Sequence, residues 1–138
     1  MKLPEVQITA GFYIGSALAI LLLPWDVLSA FAGASGFHEL CHLLALRCCK
    51  VPVHQIKLSA FGATIETAAM IPMQELICAS AGPAGSLLLL FFSQRMPLLA
   101  LFGLCQGMFN LLPVYPLDGG RMARTIISAC KEASLRVQ

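Results

Sequence analysis

The sequence predicts an α-helical integral membrane protein: about four transmembrane helices, with a small membrane-associated β-hairpin between helices two and three. Three observations predict it. Charge is scarce: only 12% of the 138 residues are Asp, Glu, Lys or Arg, against about 25% in soluble domains, and the mean hydropathy is +0.80. Four apolar runs approach or reach the roughly 17–25 residues that cross a bilayer as a helix. The longest connection between those runs alternates polar and apolar residues, as a strand does.

The first run, Ile8 to Leu23, carries no formal charge and stops at Pro24. It sits at the short edge of spanning length, and Gln7 and Pro24 extend it. A cleaved leader would also offer a basic start, Lys2, and a small-x-small site, Ala30-Phe31-Ala32. The stretch before that site is too long and is broken by Pro24, and cleavage there would truncate the next helix. The second run, Val27 to Leu46, contains Glu39 as its only acidic or basic residue besides two histidines. Asp26 ahead of it suits a helix cap, and Trp25 suits the interfacial belt. The third run, Leu76 to Phe92, and the fourth, Leu98 to Tyr115, are uncharged.

Between helices two and three, Arg47 to Glu75 forms the longest connection. Within it "HQIKLSAFGATIET" places Ile56, Leu58 and Ala60 in alternation, breaks at Gly62 and resumes at Ile65. That pattern is two short strands around a glycine bend. Lipid cannot satisfy backbone polar groups, so such a hairpin must lie at the interface or against the helices. Residues 1–138 read as a single domain that ends in a short tail, Arg121 to Gln138, after helix four. No soluble regulatory domain is expected.

Eight of the nine Lys and Arg residues fall on the side that holds both termini; Arg95 alone lies opposite. The positive-inside rule makes the eight-residue side cytoplasmic. A net charge of +2, scattered along the chain, excludes a nucleic-acid footprint, which needs a dense basic face. The six cysteines contain no Cys-x-x-Cys, and three of them lie in apolar runs. Small apolar residues in a reducing compartment explain them better than a disulfide framework or a zinc-thiolate site.

Residues 38–42 read HELCH. On a helix His38 and His42 stand one turn apart on one face, the spacing at which two imidazoles bind one zinc ion. Glu39 projects beside them, where it can take a proton from water. Cys41 points away from the pair. Ionisable groups in a spanning helix are costly and mark function by default. The bulk of the cost falls if a metal neutralises the cluster.

Zinc needs a third protein ligand. Glu66, Glu75, His54 and Asp118 are the candidates, and depth favours Asp118. His42 precedes Arg47 by five residues, so it lies roughly 7–8 Å inside the cytoplasmic boundary at 1.5 Å per residue. Asp118 follows the last apolar run on the same side, in "NLLPVYPLDGGR". Pro113 and Pro116 each remove a backbone donor, and Gly119 and Gly120 open conformations closed to other residues. An unwound segment there can carry Asp118 back to the histidines. One Zn²⁺ with two neutral imidazoles and one carboxylate leaves a single positive charge.

These motifs resemble the site-2 protease family of intramembrane zinc metalloproteases, and most closely its compact branch, that of stage IV sporulation protein FB. The resemblance rests on HELCH (38–42), AFGATIE (60–66), SAGP (80–83) and NLLPVYPLDGGR (110–121), in family order. It implies a hydrolase that cuts a peptide bond within or beside a membrane helix of a membrane-bound substrate. It implies one zinc ion on His38, His42 and Asp118, with Glu39 as general base and then general acid. It implies that Asn110 helps place substrate and that the hairpin, bent at Gly62, pairs with an unwound substrate strand. Family members often carry Asn a few residues after the AGP; here Ser86 stands near that position. The chain also lacks the PDZ insert of other branches, so selection would come from the core, from oligomerisation or from a regulatory membrane partner. Two other functions compete: an inert scaffold for membrane proteins, and a zinc-handling membrane component. The acid beside the histidines favours hydrolysis, because binding alone needs no base.

Overall fold

In the computed structural model, residues 5–59 and 62–136 are described. The chain runs β1 (Glu5–Ile8), α1 (Ala10–Leu22), α2 (Trp25–Cys48), β2 (Val53–Ser59), β3 (Gly62–Thr67), α3 (Pro72–Leu88), a 3-10 turn (Leu89–Phe92), α4 (Pro97–Asn110) and α5 (Asp118–Arg136). The expected hairpin is present: β2 and β3 pair antiparallel, with Ile56 opposite Ile65 and Ser59 opposite Gly62. Ala60 and Phe61, at its tip, lie outside the described residues.

The sheet has a third strand that the sequence did not announce. β1 pairs parallel with β2, Val6 opposite Ile56 and Ile8 opposite Leu58. Ile8 and Gln7 therefore belong to a strand and not to the first helix. Thr9 fixes the change of direction: its amide and its hydroxyl both donate to the Leu58 carbonyl, at 2.9 and 3.0 Å.

α2 starts after Pro24, with Asp26 in its first turn, and no cap bond from that side chain. An acid there still complements the positive helix end. At the other end Lys50 takes a left-handed conformation, φ 56. The Val51 amide then reaches back to the Leu46 carbonyl at 2.9 Å and the Lys50 amide to Arg47 at 3.1 Å. This is a Schellman closure made without glycine. Gln74, in the first turn of α3, donates to the Cys49 carbonyl and holds the two helix ends together.

Helix α3 packs against α2, α4 and α5. The contact faces are made of small residues. A Cβ on Gly103 of α4 would meet the Ser86 carbonyl at 2.7 Å, and one on Gly107 the Pro83 carbonyl at 3.2 Å. Helices approach this closely only where side chains are small. Leu, Ile and Phe point outward instead, on α1, α2 and α4.

The helices differ in length from the apolar runs. Among the described residues one helical stretch, Pro72–Phe92, has the length and hydropathy of a membrane span; Ala10–Leu22 and Pro97–Asn110 are apolar but shorter. The fourth apolar run reaches Tyr115, but its helix ends at Asn110; Pro113 and Pro116 cannot donate to its ladder, and the expected unwound segment follows. The tail is also more than a tail: α5 runs 19 residues from Asp118. Gly119 and Gly120 open that helix. Neither is in the positive-φ region, where Gly62 (φ 124) is the glycine found. Their role is clearance. A Cβ on Gly119 would strike the Leu111 carbonyl, and one on Gly120 the Val114–Tyr115 peptide.

Candidate metal centre

The helix periodicity that places His38 and His42 on one face of α2 turns both toward α3. Each is buried, at 2% and 8% exposure. The segment 111–117 leaves α4, doubles back and starts α5 with Asp118, itself 8% exposed. Asp118 Oδ2 lies 3.1 Å from His42 Nε2 and 3.3 Å from His38 Nε2. The two Nε2 atoms are 3.2 Å apart. The predicted unwound segment thus delivers the predicted carboxylate.

The other two imidazole nitrogens are occupied. His42 Nδ1 donates to the Cys78 carbonyl at 2.7 Å, and His38 Nδ1 lies 2.8 Å from Ser86 Oγ. A carbonyl only accepts, so the His42 proton sits on Nδ1 and its Nε2 carries a lone pair. That lone pair faces a second imidazole nitrogen and a carboxylate oxygen. Electron-pair donors repel at such distances unless a cation lies among them. An anionic oxygen beside two nitrogen donors, all within 4.8 Å of one another, could hold a metal ion. The N₂O set suits zinc.

There is also room for an ion. Gly82 of α3 faces both rings, and a Cβ there would run into His42 Nε2 and lie 2.7 Å from His38 Nε2. The glycine leaves the volume in front of the ligands open. Cys41 Sγ rests instead against Gly85, outside the ligand group. The remaining candidates are engaged elsewhere: Glu66 pairs with Lys57, and Glu75 stands 3.8 Å from Arg121. His54 is exposed on β2.

Glu39 is half-buried on α2 and interacts electrostatically with His42, His38 and Asp118. Asn110 ends α4 and donates to the Gln106 carbonyl at 3.1 Å. Gly62 is exposed at the hairpin bend. Sequence reasoning missed Gly82, Cys78 and Ser86 as parts of this centre. The SAGP motif pointed to their helix, but which of its faces meets α2 is a tertiary fact.

Residues 91–138 match the model of Peptidase family M50. A candidate zinc metalloprotease of Synechocystis sp., sll0528, is 34% identical over 91% of this chain and 35% of its own length. A candidate zinc metalloprotease of Mycobacterium tuberculosis, Rip3, is 34% identical over 65% of this chain and 28% of its own. The chain spans about a third of the length of these named relatives. Among solved structures, the site-2 protease from Methanocaldococcus jannaschii aligns with a TM-score of 0.72 and 27% identity, over 94% of this chain and 70% of that one. The chain is thus similar to Peptidase family M50 across the segment that carries Asp118, and to a site-2 protease across the fold that carries His38 and His42.

Proposed function

We propose that this chain is a membrane-embedded zinc endopeptidase that hydrolyses a peptide bond within or next to a transmembrane segment of a protein substrate. The observation that carries the reading is the convergence of two imidazole nitrogens and a carboxylate, with Glu39 on the same helix and next to the first ligand. His38, His42 and Asp118 would hold the ion, one per chain. Zinc, when bound, supplies a Lewis acid that polarises the scissile carbonyl and makes water more acidic. The chain's own residues do the rest. Cys78 and Ser86 orient the imidazoles. Glu39 takes a proton from the attacking water as the C–O bond forms, and returns it to the amine as the C–N bond breaks.

The substrate must present an unwound strand to this site. Among the described residues β3 has a strand neighbour on one side only, so its outer edge is open to strand addition. Gly62, at the bend, and Asn110, where α4 gives way to the Asp118 segment, are the residues we assign to substrate placement. Large apolar side chains on the outside of a bundle with small residues inside fit a bilayer better than water. On that basis we place the protein in the cell membrane as a multi-pass chain, with the termini and the metal centre toward the cytoplasm. Its partners are the lipid bilayer, a membrane-spanning or membrane-associated substrate, and a regulatory membrane protein or a second copy. On its four motifs we assign it to the compact branch that includes stage IV sporulation protein FB.

Glu39→Gln tests the mechanism. The amide keeps the size of the head group but cannot accept a proton at neutral pH. Zinc content should stay at one per chain. Cleavage of a membrane-anchored substrate should fall by at least the roughly 10²–10⁴-fold typical of a lost general base. An inert scaffold or a zinc-handling component would be indifferent to this change. Cleavage that survives it would remove the hydrolytic mechanism.

A further inference from the structure

Helix α3 meets the metal centre through positions 78, 82 and 86, one helical face at intervals of four. α2 answers with 38 and 42, and the pairing runs in opposite directions: His42 to Cys78, His38 to Ser86. Gly82 lies between, opposite both Nε2 atoms. The two supports differ chemically. The Cys78 carbonyl is a pure acceptor and belongs to the backbone. Ser86 Oγ can donate or accept, and it is a side chain that the sequence is free to omit.

Ser86 has 0% exposure, between α2 and the glycine face of α4. A Cβ on Gly107 would stand 3.3 Å from the Ser86 Cβ. Alanine would fill this position with better helix propensity and no hydroxyl to desolvate. The hydroxyl therefore calls for a reason, and its neighbour, at 2.8 Å, is the Nδ1 nitrogen of the His38 imidazole. A serine within a helix can give its own proton to a carbonyl one turn back. Its lone pairs are then left to receive the His38 Nδ1 proton.

We propose that Ser86 is a positioning residue for the metal centre: it holds His38 in the Nδ1–H tautomer, so that Nε2 keeps its lone pair for the ion. The proposal rests on the zinc reading above. His42 needs no such help, because the Cys78 carbonyl already dictates its tautomer. Without Ser86, His38 would lose its orientation and would spend part of its time with the proton on Nε2, the face that must bind.

The test uses the full chain in detergent micelles, loaded with Zn²⁺, as the parent and as Ser86→Ala. Zinc affinity is read by competition with a chelator, and metal-free thermal melting is followed alongside. Affinity should fall by about 10–100-fold, the range for a lost partner of a metal-bound histidine, while metal-free melting stays at the parent value. In protein carrying ¹⁵N-labelled histidine, zinc-loaded parent should show protected Nδ1–H signals for His38 and His42. Ser86→Ala should lose protection at His38 alone.

Parent-like zinc affinity in Ser86→Ala would overturn the proposal and leave the zinc reading standing. A matching loss of metal-free stability would overturn it too, and assign Ser86 to packing. A parent that binds no zinc would overturn the zinc reading itself, and this inference with it.

Discussion

At position 82 the chain puts glycine in the middle of a helix, where it costs about 1 kcal/mol relative to alanine. The compensation is the open volume in front of His38 and His42. Gly82→Ala should therefore separate two quantities that usually move together. The helix gains propensity, whereas the new methyl group occupies the space where the imidazole nitrogens converge. Zinc content should drop to background in the purified protein. Cys41→Ser is the matched control, since Cys41 lies against Gly85 and not in the ligand group; it should keep one zinc. Full occupancy in Gly82→Ala would place the ion elsewhere. At this scale the convergence of His38, His42 and Asp118 was legible in the sequence, because a four-residue spacing and a depth argument both operate along one chain. Gly82, Cys78 and Ser86 were not, because their role exists only once α3 lies against α2. Ser86 was noticed as a departure from the family pattern; the structure makes it the residue that faces His38 Nδ1.

Among the elements, the short segment between α4 and α5 carries the most consequence. The prolines predicted that it would be irregular, and it is. Their neighbours Gly119 and Gly120 suggested unusual dihedrals, but the requirement is contact: the backbone of residues 111–115 presses against the first turn of α5. A Cβ at 119 would meet main-chain atoms, which cannot rotate aside. Gly119→Ala should cost about 1–3 kcal/mol of stability, the range for overpacking, and should displace Asp118 from His38 and His42. The check is a melting curve with and without Zn²⁺: the parent should gain stability from zinc, and the variant should gain little. A variant that melts as the parent does in both conditions would refute the clearance argument. α5 escaped sequence reading because two glycines at its start argue against a helix. β1 escaped because four residues show no useful period, and its partner strand lies about fifty positions away.

The whole molecule is arranged so that its two ends differ. Asp26, in the first turn of α2, and Arg95, from the turn before α4, line one shared cavity. The sheet, the end of α2 and the Glu75–Arg121 contact occupy the other end, with the metal centre nearer to it. The number of spans did not follow from the runs, because helices shorter than a bilayer can still be assembled around a long one. Orientation rests on charge: among the described residues Arg47, Lys50, Lys57, Arg121, Arg124 and Lys131 belong to the sheet end, and Arg95 is the single cation of the other. On the proposed membrane reading, the positive-inside rule predicts the basic end in the cytoplasm. Single cysteines from Arg95→Cys and Lys131→Cys, each in a cysteine-free background, can be probed in intact cells with a membrane-impermeant thiol reagent. Position 95 should label from outside, and position 131 only after the cells are broken. If both positions label from the same side, the chain does not place these ends on opposite faces, and the proposed orientation is wrong.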